Sequence, residues 1–253
     1  MMNRKKIILI LVMVLLTVPI GLAGAAGALP DQQAQSSIAK ALQYLHDVQN
    51  TDGGFPSKAG SVSSSALTSW AIMAIAASGE NPNGATWNNN SLSPLDFLRN
   101  CSESPQSTCD YARTLLALAA AKQGTVYHGE DLEEKIVSTQ QSSGQFTVLP
   151  QEEQGFINAH MWSIIALHAA QHEIPNKEKA REWLLARQNA DGGFGWCEGL
   201  SSDADDTAVA LQALVLLGEE PLSSPAIKKA EDYIKSCQEQ DGGFHSGDLA
   251  GEK

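Results

Sequence analysis

"RQNADGGFGW" occupies residues 187–196, and two near copies stand elsewhere in the chain: "VQNTDGGFPS" at 48–57 and "CQEQDGGFHS" at 237–246. The shared phrase is Gln-x-x-Asp-Gly-Gly-Phe. Two adjacent glycines can take positive φ and end a helix without Cβ strain. An Asp before them favours a tight turn through side-chain to backbone bonds. The phrase therefore reads as the corner where a helix stops and the chain turns back. A site of chemistry is rarely written three times, and a structural corner has to be.

Phe55, Phe146, Phe194 and Phe244 mark equivalent points, separated by 91, 48 and 50 residues. The first gap holds two units, so the repeat is about 45–50 residues long. Each unit predicts two helices. The outer one is amphipathic: "NKEKAREWLLARQ" (176–188) puts Ala180, Trp183, Leu184 and Arg187 on one side. An aromatic precedes the Gln by five residues at Tyr44, Trp183 and Tyr233. The inner helix is apolar nearly all round, as in "ALTSWAIMAIAASG", "ARTLLALAAAKQG", "HMWSIIALHAAQ" and "TAVALQALVLLG". Such a helix is buried between other elements. Outer helices are expected near 37–49, 92–100, 130–140, 176–188 and 225–238. Inner helices are expected after the first four, which makes about four and a half hairpins. Stacked hairpins of this kind form an all-α, α/α toroid. With that number the toroid is expected to be incomplete or open, a truncated chain or one completed by self-association.

The first 27 residues read as a signal peptide, with basic Arg4, Lys5 and Lys6, an apolar run from Ile7 to Ile20, and small residues in "GLAGAAGA". Residues 28–253 are then the repeat domain, and the protein is expected to be secreted or at the cell surface. The net charge of −12 disfavours nucleic acid and anionic membranes as partners. In an exported chain four cysteines permit disulfides. Cys101 and Cys109 flank the corner of the second hairpin, which lacks the paired glycines. Cys197 and Cys237 lie at the corners of adjacent units.

With an aromatic-bearing helix before it, Gln-x-x-Asp-Gly-Gly-Phe resembles the repeat of squalene and oxidosqualene cyclases and of protein prenyltransferase β subunits. The resemblance covers residues 35–253 and implies the α/α toroid. The family also contains non-catalytic members of similar architecture that carry vitamin B12. Within "SSDADDTAVALQAL" (201–214), Asp203-Ala204-Asp205-Asp206-Thr207-Ala208 is similar to the Asp-x-Asp-Asp-Thr-Ala motif of class II terpene cyclases. The resemblance implies that Asp205 is the proton donor, with Asp203 and Asp206 as neighbours. Crowded carboxylates in an apolar setting raise at least one pKa. The same residues also suit a helix start, with Ser202 or Asp203 as N-cap and acidic residues in the first turn. A prenyltransferase-type zinc site would draw on Cys197, Asp205 and His160 or His245, which do not stand in that family's local pattern; no metal or other cofactor is expected.

Aligned on the glycine after each inner helix, Thr68 and Arg113 fall level with Thr207, and a looser fit brings Met161 there, with His160 beside Asp206. Ser65, Tyr111, Arg113, Asn158, His160, Asp205 and Asp206 are then expected to rim one mouth, with Trp162, His168 and Gln212 on inner helices. A polar rim over an apolar bore suits ligand binding. The leading expectation is an exported, non-catalytic toroid that binds a small apolar or isoprenoid-like ligand, or another extracellular protein. The alternatives are a class II cyclase-like isomerase and a structural module of a larger surface protein.

Overall fold

A computed structural model describes residues 31–149 and 156–245. The predicted signal peptide and the last eight residues lie outside them. Among the described residues no helix is long and apolar enough to cross a membrane.

The chain divides into two compact units. The first, up to Glu103 with residues 120–123, holds α1 (Asp31–Val48), α2 (Ser65–Ala77), a short 3₁₀ turn (Ala85–Trp87) and α3 (Pro94–Asn100). Leu42, Leu45 and Val48 of α1 pack on Phe55, Ala71, Ile75 and Trp87. The second unit holds α4 (Thr108–Ala120) but for its last residue, a two-stranded ribbon of β1 (Val126–Tyr127) and β2 (Glu130–Asp131), α5 (Leu132–Val137), α6 (Ile157–Ala169), α7 (Lys177–Leu185), α8 (Ala204–Leu216) and α9 (Pro225–Ser236). The ribbon was not expected from the sequence. It turns on His128 and Gly129, both at positive φ, 49° and 83°, the geometry a two-residue hairpin requires.

The outer and inner helices fall where the periodicity places them. The inner ones are buried on several faces: Ile164, Ala166 and Leu167 of α6 and Ala210, Ala213 and Leu214 of α8 are all fully enclosed.

The repeated phrase is the corner between outer and inner helix. At Gln188–Phe194 the Asn189 amide donates to Gly193 O at 2.9 Å, Gly192 N to Asn189 O at 2.9 Å, and Gly193 N to Asp191 Oδ1 at 2.9 Å. The same three bonds recur at Asn50, Gly53 and Gly54. The amide of the Phe then donates to a side chain of the following inner helix: Phe55 to Thr68 Oγ1 and Phe194 to Thr207 Oγ1, both at 2.9 Å. In the third hairpin Phe146 N donates instead to His160 Nδ1 at 3.1 Å.

The four inner helices, α2, α4, α6 and α8, each have 13 residues. Fourteen positions after its start, each is closed by a left-handed residue: Gly79, Lys122, Gln171 and Gly218. Two of these are not glycine, and this corrects the glycine-based alignment. The fourth helical residues are Thr68, Tyr111, His160 and Thr207, so Arg113 and Met161 do not share the rank of Thr207.

Cys101, Cys109, Cys197 and Cys237 are all thiols, so neither expected disulfide is formed. Cys101 Sγ donates to Leu98 O at 3.3 Å, Cys109 and Cys197 are half-buried, and Cys237 is buried beside Tyr233.

Candidate acid site at the start of an inner helix

The start of α8 is fixed to the corner before it. Asp203 N donates to Phe194 O at 3.1 Å, and Thr207 Oγ1, which receives the Phe194 amide, donates to Asp203 O at 2.6 Å. Asp203 is the N-cap: its Oδ1 accepts from Asp206 N at 2.7 Å. Ser202, one residue earlier, donates to Asp191 Oδ1 of the corner at 2.8 Å. Asp203 and Thr207 of "DADDTA" are thus placed by the repeat scaffold, and the capping role read from the sequence is present.

The three carboxyl groups differ in surroundings. Asp205 is exposed. Asp206 is half-buried, and its carboxyl is pushed up to about 8. Burial is the main cause, followed by a hydrogen bond with the Asp203 carboxyl and by the charges of Asp203 and Asp205. Desolvation favours the neutral acid, and a neighbouring anion adds to it. Of the three carboxyls, Asp206 is thus the one whose surroundings favour the neutral acid, one residue beyond the position to which the resemblance carries the donor.

Opposite in character is the start of α4. Its third residue is Asp110, the rank that Asp206 has in α8. Burial alone would raise Asp110, but hydrogen bonds from Arg113 and Ser107 outweigh it and hold the carboxyl below the usual range. Asp110 forms an ion pair with Arg113, and Ser107 Oγ donates to it at 2.9 Å. Cys109 stands close enough to feel both acids. Its thiol is pushed up to about 11, by burial first and then by Asp110, partly offset by Arg113, with Asp206 adding to the rise.

Of the expected ligand residues, His160 is reassigned. It is fully buried, with Nδ1 accepting from Phe146 N and Nε2 3.1 Å from Ala180 O. Burial lowers its pKa to about 3, so it is a neutral imidazole that donates from Nε2 and cannot rim an open mouth. Arg113 is committed to Asp110, although its buried Nε has no partner among the described residues. Tyr111 and Trp162 are half-buried on α4 and α6. Gln212 donates to Ala208 O at 3.3 Å, one turn back, and its buried Oε1 has no partner among the described residues. The same holds for Asn158 Oδ1 near the start of α6. Buried polar atoms of this kind are uncommon, and both lie on inner helices of the second unit. No group of three or more His, Cys, Asp or Glu among the described residues is arranged to hold a metal ion.

The model of the prenyltransferase alpha-alpha toroid domain matches residues 4–93, 33–225 and 152–253. The chain belongs to this α/α-toroid family. Among curated relatives, drimenyl diphosphate synthase of Streptantibioticus cattleyicolor is 30% identical over 219 residues, covering 84% of this chain and 32% of that protein. The squalene–hopene cyclase of Bradyrhizobium diazoefficiens is 35% identical over 96 residues, 32% of this chain and 14% of that protein. The chain thus spans a third or less of the length of these relatives. Among solved structures, protein geranylgeranyltransferase-I of Candida albicans, complexed with GGPP, gives a TM-score of 0.61 at 17% identity, over 84% of this chain and 72% of that one. A variant of the type II terpene cyclase MstE from Scytonema, in complex with merosterolic acid A, gives 0.60 at 16% identity, over 94% and 71%. At these identities the structures establish the fold.

Proposed function

We propose that the start of α8 is the proton-donating site of a class II terpene cyclase-type chain that acts on an isoprenoid. Asp206 gives up the proton, Asp203 holds it by hydrogen bond, and Asp205 adds negative charge beside it. The observation that carries this reading is the half-buried Asp206 carboxyl, hydrogen-bonded to the Asp203 carboxyl and flanked by Asp205, surroundings that push its pKa up to about 8. An acid that protonates an alkene must be neutral at working pH, and an aspartate in water is ionised there. The Asp206 O–H bond breaks as a C–H bond forms at one alkene carbon. The other carbon becomes a cation, which the next double bond captures, and loss of a proton from carbon ends the sequence. The net change is an isomerisation that needs no cofactor. The names of the relatives support this substrate class, since drimenyl diphosphate synthase and squalene–hopene cyclase are named for isoprenoid products or substrates. An exported location, argued from the basic and apolar leader, is part of the same proposal.

A second reading, a non-catalytic toroid that binds an isoprenoid-like ligand, is favoured by one observation: Asp203 caps α8 and Thr207 holds the helix to its corner, structural roles that need no chemistry. One experiment separates the two. The full chain is incubated with squalene and with farnesyl and geranylgeranyl diphosphates, and products of unchanged mass are sought by gas chromatography with mass detection. The cyclase reading expects a cyclic product, lost by at least 100-fold in Asp206→Asn, with activity falling as pH rises through about 8. Ligand binding without product supports the second reading. Product surviving in Asp206→Asn but lost in Asp205→Asn moves the donor to Asp205.

A further inference from the structure

The corner phrase does more than turn the chain. At each of the first three corners its Gln also reaches the next hairpin. Gln49 Nε2 donates to Gly53 O and to Trp87 O, Gln140 to Gly144 O and Pro175 O, and Gln188 to Gly192 O and Ala226 O. The left-handed Gly of each corner is pressed on the same neighbour. A Cβ on Gly192 would lie 2.7 Å from Lys229 O, and Cβ atoms on Gly53 and Gly144 would run into the backbone at Ser93 and at Lys179–Ala180. Each corner is thus a socket for the following outer helix.

What α9 inserts into that socket is the stripe Ile227-x-x-Ala230-x-x-Tyr233. Ile227 and Ala230 are fully buried. Tyr233 packs under Gly193, and its hydroxyl donates to Ser202 O at 2.7 Å. The small Ala lets the two backbones meet. The same stripe is written in α1 as Ile38-x-x-Ala41-x-x-Tyr44. There Ile38 is 36% and Tyr44 46% exposed, while the neighbouring stripe of Leu42, Leu45 and Val48 faces the helix's own hairpin. At the other end, the fourth corner folds as the others do: Glu239 N donates to Gly243 O at 2.7 Å, and Gly243 N to Asp241 Oδ1 at 2.8 Å. Among the described residues a Cβ on Gly242 would meet nothing within 4 Å, and Gln238 Nε2 donates to Gly242 O at 3.4 Å.

We propose that α1 of a second copy of this chain docks into the corner formed by Gln238, Gly242 and Gly243, repeating between molecules the contact that joins α9 to the Gln188 corner within one. Ile38, Ala41 and Tyr44 take the places of Ile227, Ala230 and Tyr233, and Gln238 donates to a carbonyl at the start of the partner's α1. The association is head to tail, so it closes into a ring or continues. It is independent of the chemistry at Asp206.

Sedimentation of the full chain tests this. The mass is expected to rise at least twofold between low and high micromolar concentration. Tyr44→Glu spoils the stripe. Gly242→Asn, a residue that tolerates positive φ, fills the socket. Both positions are exposed, and circular dichroism checks that each variant is folded. Each variant alone is expected to remain monomeric, and an equimolar mixture to form a dimer that grows no further, because one intact stripe meets one intact socket. A wild-type chain that stays monomeric at high concentration overturns the proposal. So does a single variant that still associates, or a mixture of the two that does not.

Discussion

Helices α4 and α8 place an aspartate at the same rank, third from the start, and give it opposite states. Asp110 has Arg113 three residues on and Ser107 three residues before, and it is held as an anion. Asp206 has Val209 where α4 has Arg113, and two further carboxylates beside it. The fold supplies comparable positions at both helix starts. The neighbours at one turn's distance decide whether the group is an ion-pair partner or a reservoir for a proton. Cys109 responds to both acids, and so ties the two helix starts to one region of the second unit.

The largest expected effect is on pH-dependent stability. A carboxyl raised on folding favours the folded state fully below its unfolded pKa and loses that contribution as pH rises to the folded value. Asp206 should therefore cost the wild type several kcal/mol between about pH 4 and pH 8, at up to about 1.4 kcal/mol per pH unit. Urea titrations across that range should find Asp206→Asn without this slope and more stable than wild type at pH 8. An equal slope in the variant would place the proton elsewhere.

His160 stands one rank later on α6 and carries the opposite sign. Its folded pKa, near 3, lies below the ordinary value of 6.5, so stability present above pH 6.5 is lost as pH falls toward 3. His160→Ala should cost about 3 kcal/mol at pH 7, through an unpaired Phe146 amide, an unpaired Ala180 carbonyl and a cavity. His160→Thr, which restores the residue type of Thr68 and Thr207, should recover part of that loss and abolish the acid dependence. Chemical denaturation at pH 7 and pH 5 reads both.

Arg113→Met strips Asp110 of its partner. Because both side chains are partly exposed, the expected loss is about 2 kcal/mol, and the Asp110 carboxyl should titrate higher, toward the behaviour of Asp206. The smallest effect is expected from Asp205→Asn. The residue is exposed, so stability should change by less than about 0.5 kcal/mol, while the Asp206 midpoint moves down as one negative neighbour is lost.

Much of this was legible in the sequence. The corner phrase announced the fold because a helix that must stop and turn back requires glycine at positive φ, and the hairpins followed from the 3.6-residue period. The ranks of the second and third inner helices were hidden, because Lys122 and Gln171 close them in a conformation usually reserved for glycine. His160 looked like a rim residue because nothing local says that it replaces the Thr of the other hairpins in receiving the Phe amide. "DADDTA" marked the acidic site, but which carboxyl keeps the proton depends on burial that adjacent residues do not reveal. The cysteines were read by their position at corners, whereas all four are thiols, with Cys101 bonded to Leu98 O and Cys237 buried beside Tyr233.

The most direct test is a carbon-13 carboxyl titration of Asp110 and Asp206 in one sample by nuclear magnetic resonance, assigned with the Asn variants. Asp206 should titrate with a midpoint near 8 while Asp110 titrates below the ordinary aspartate range. An Asp206 midpoint near 4, alongside Asp110, would contradict the account and leave α8 with a helix cap and no acid.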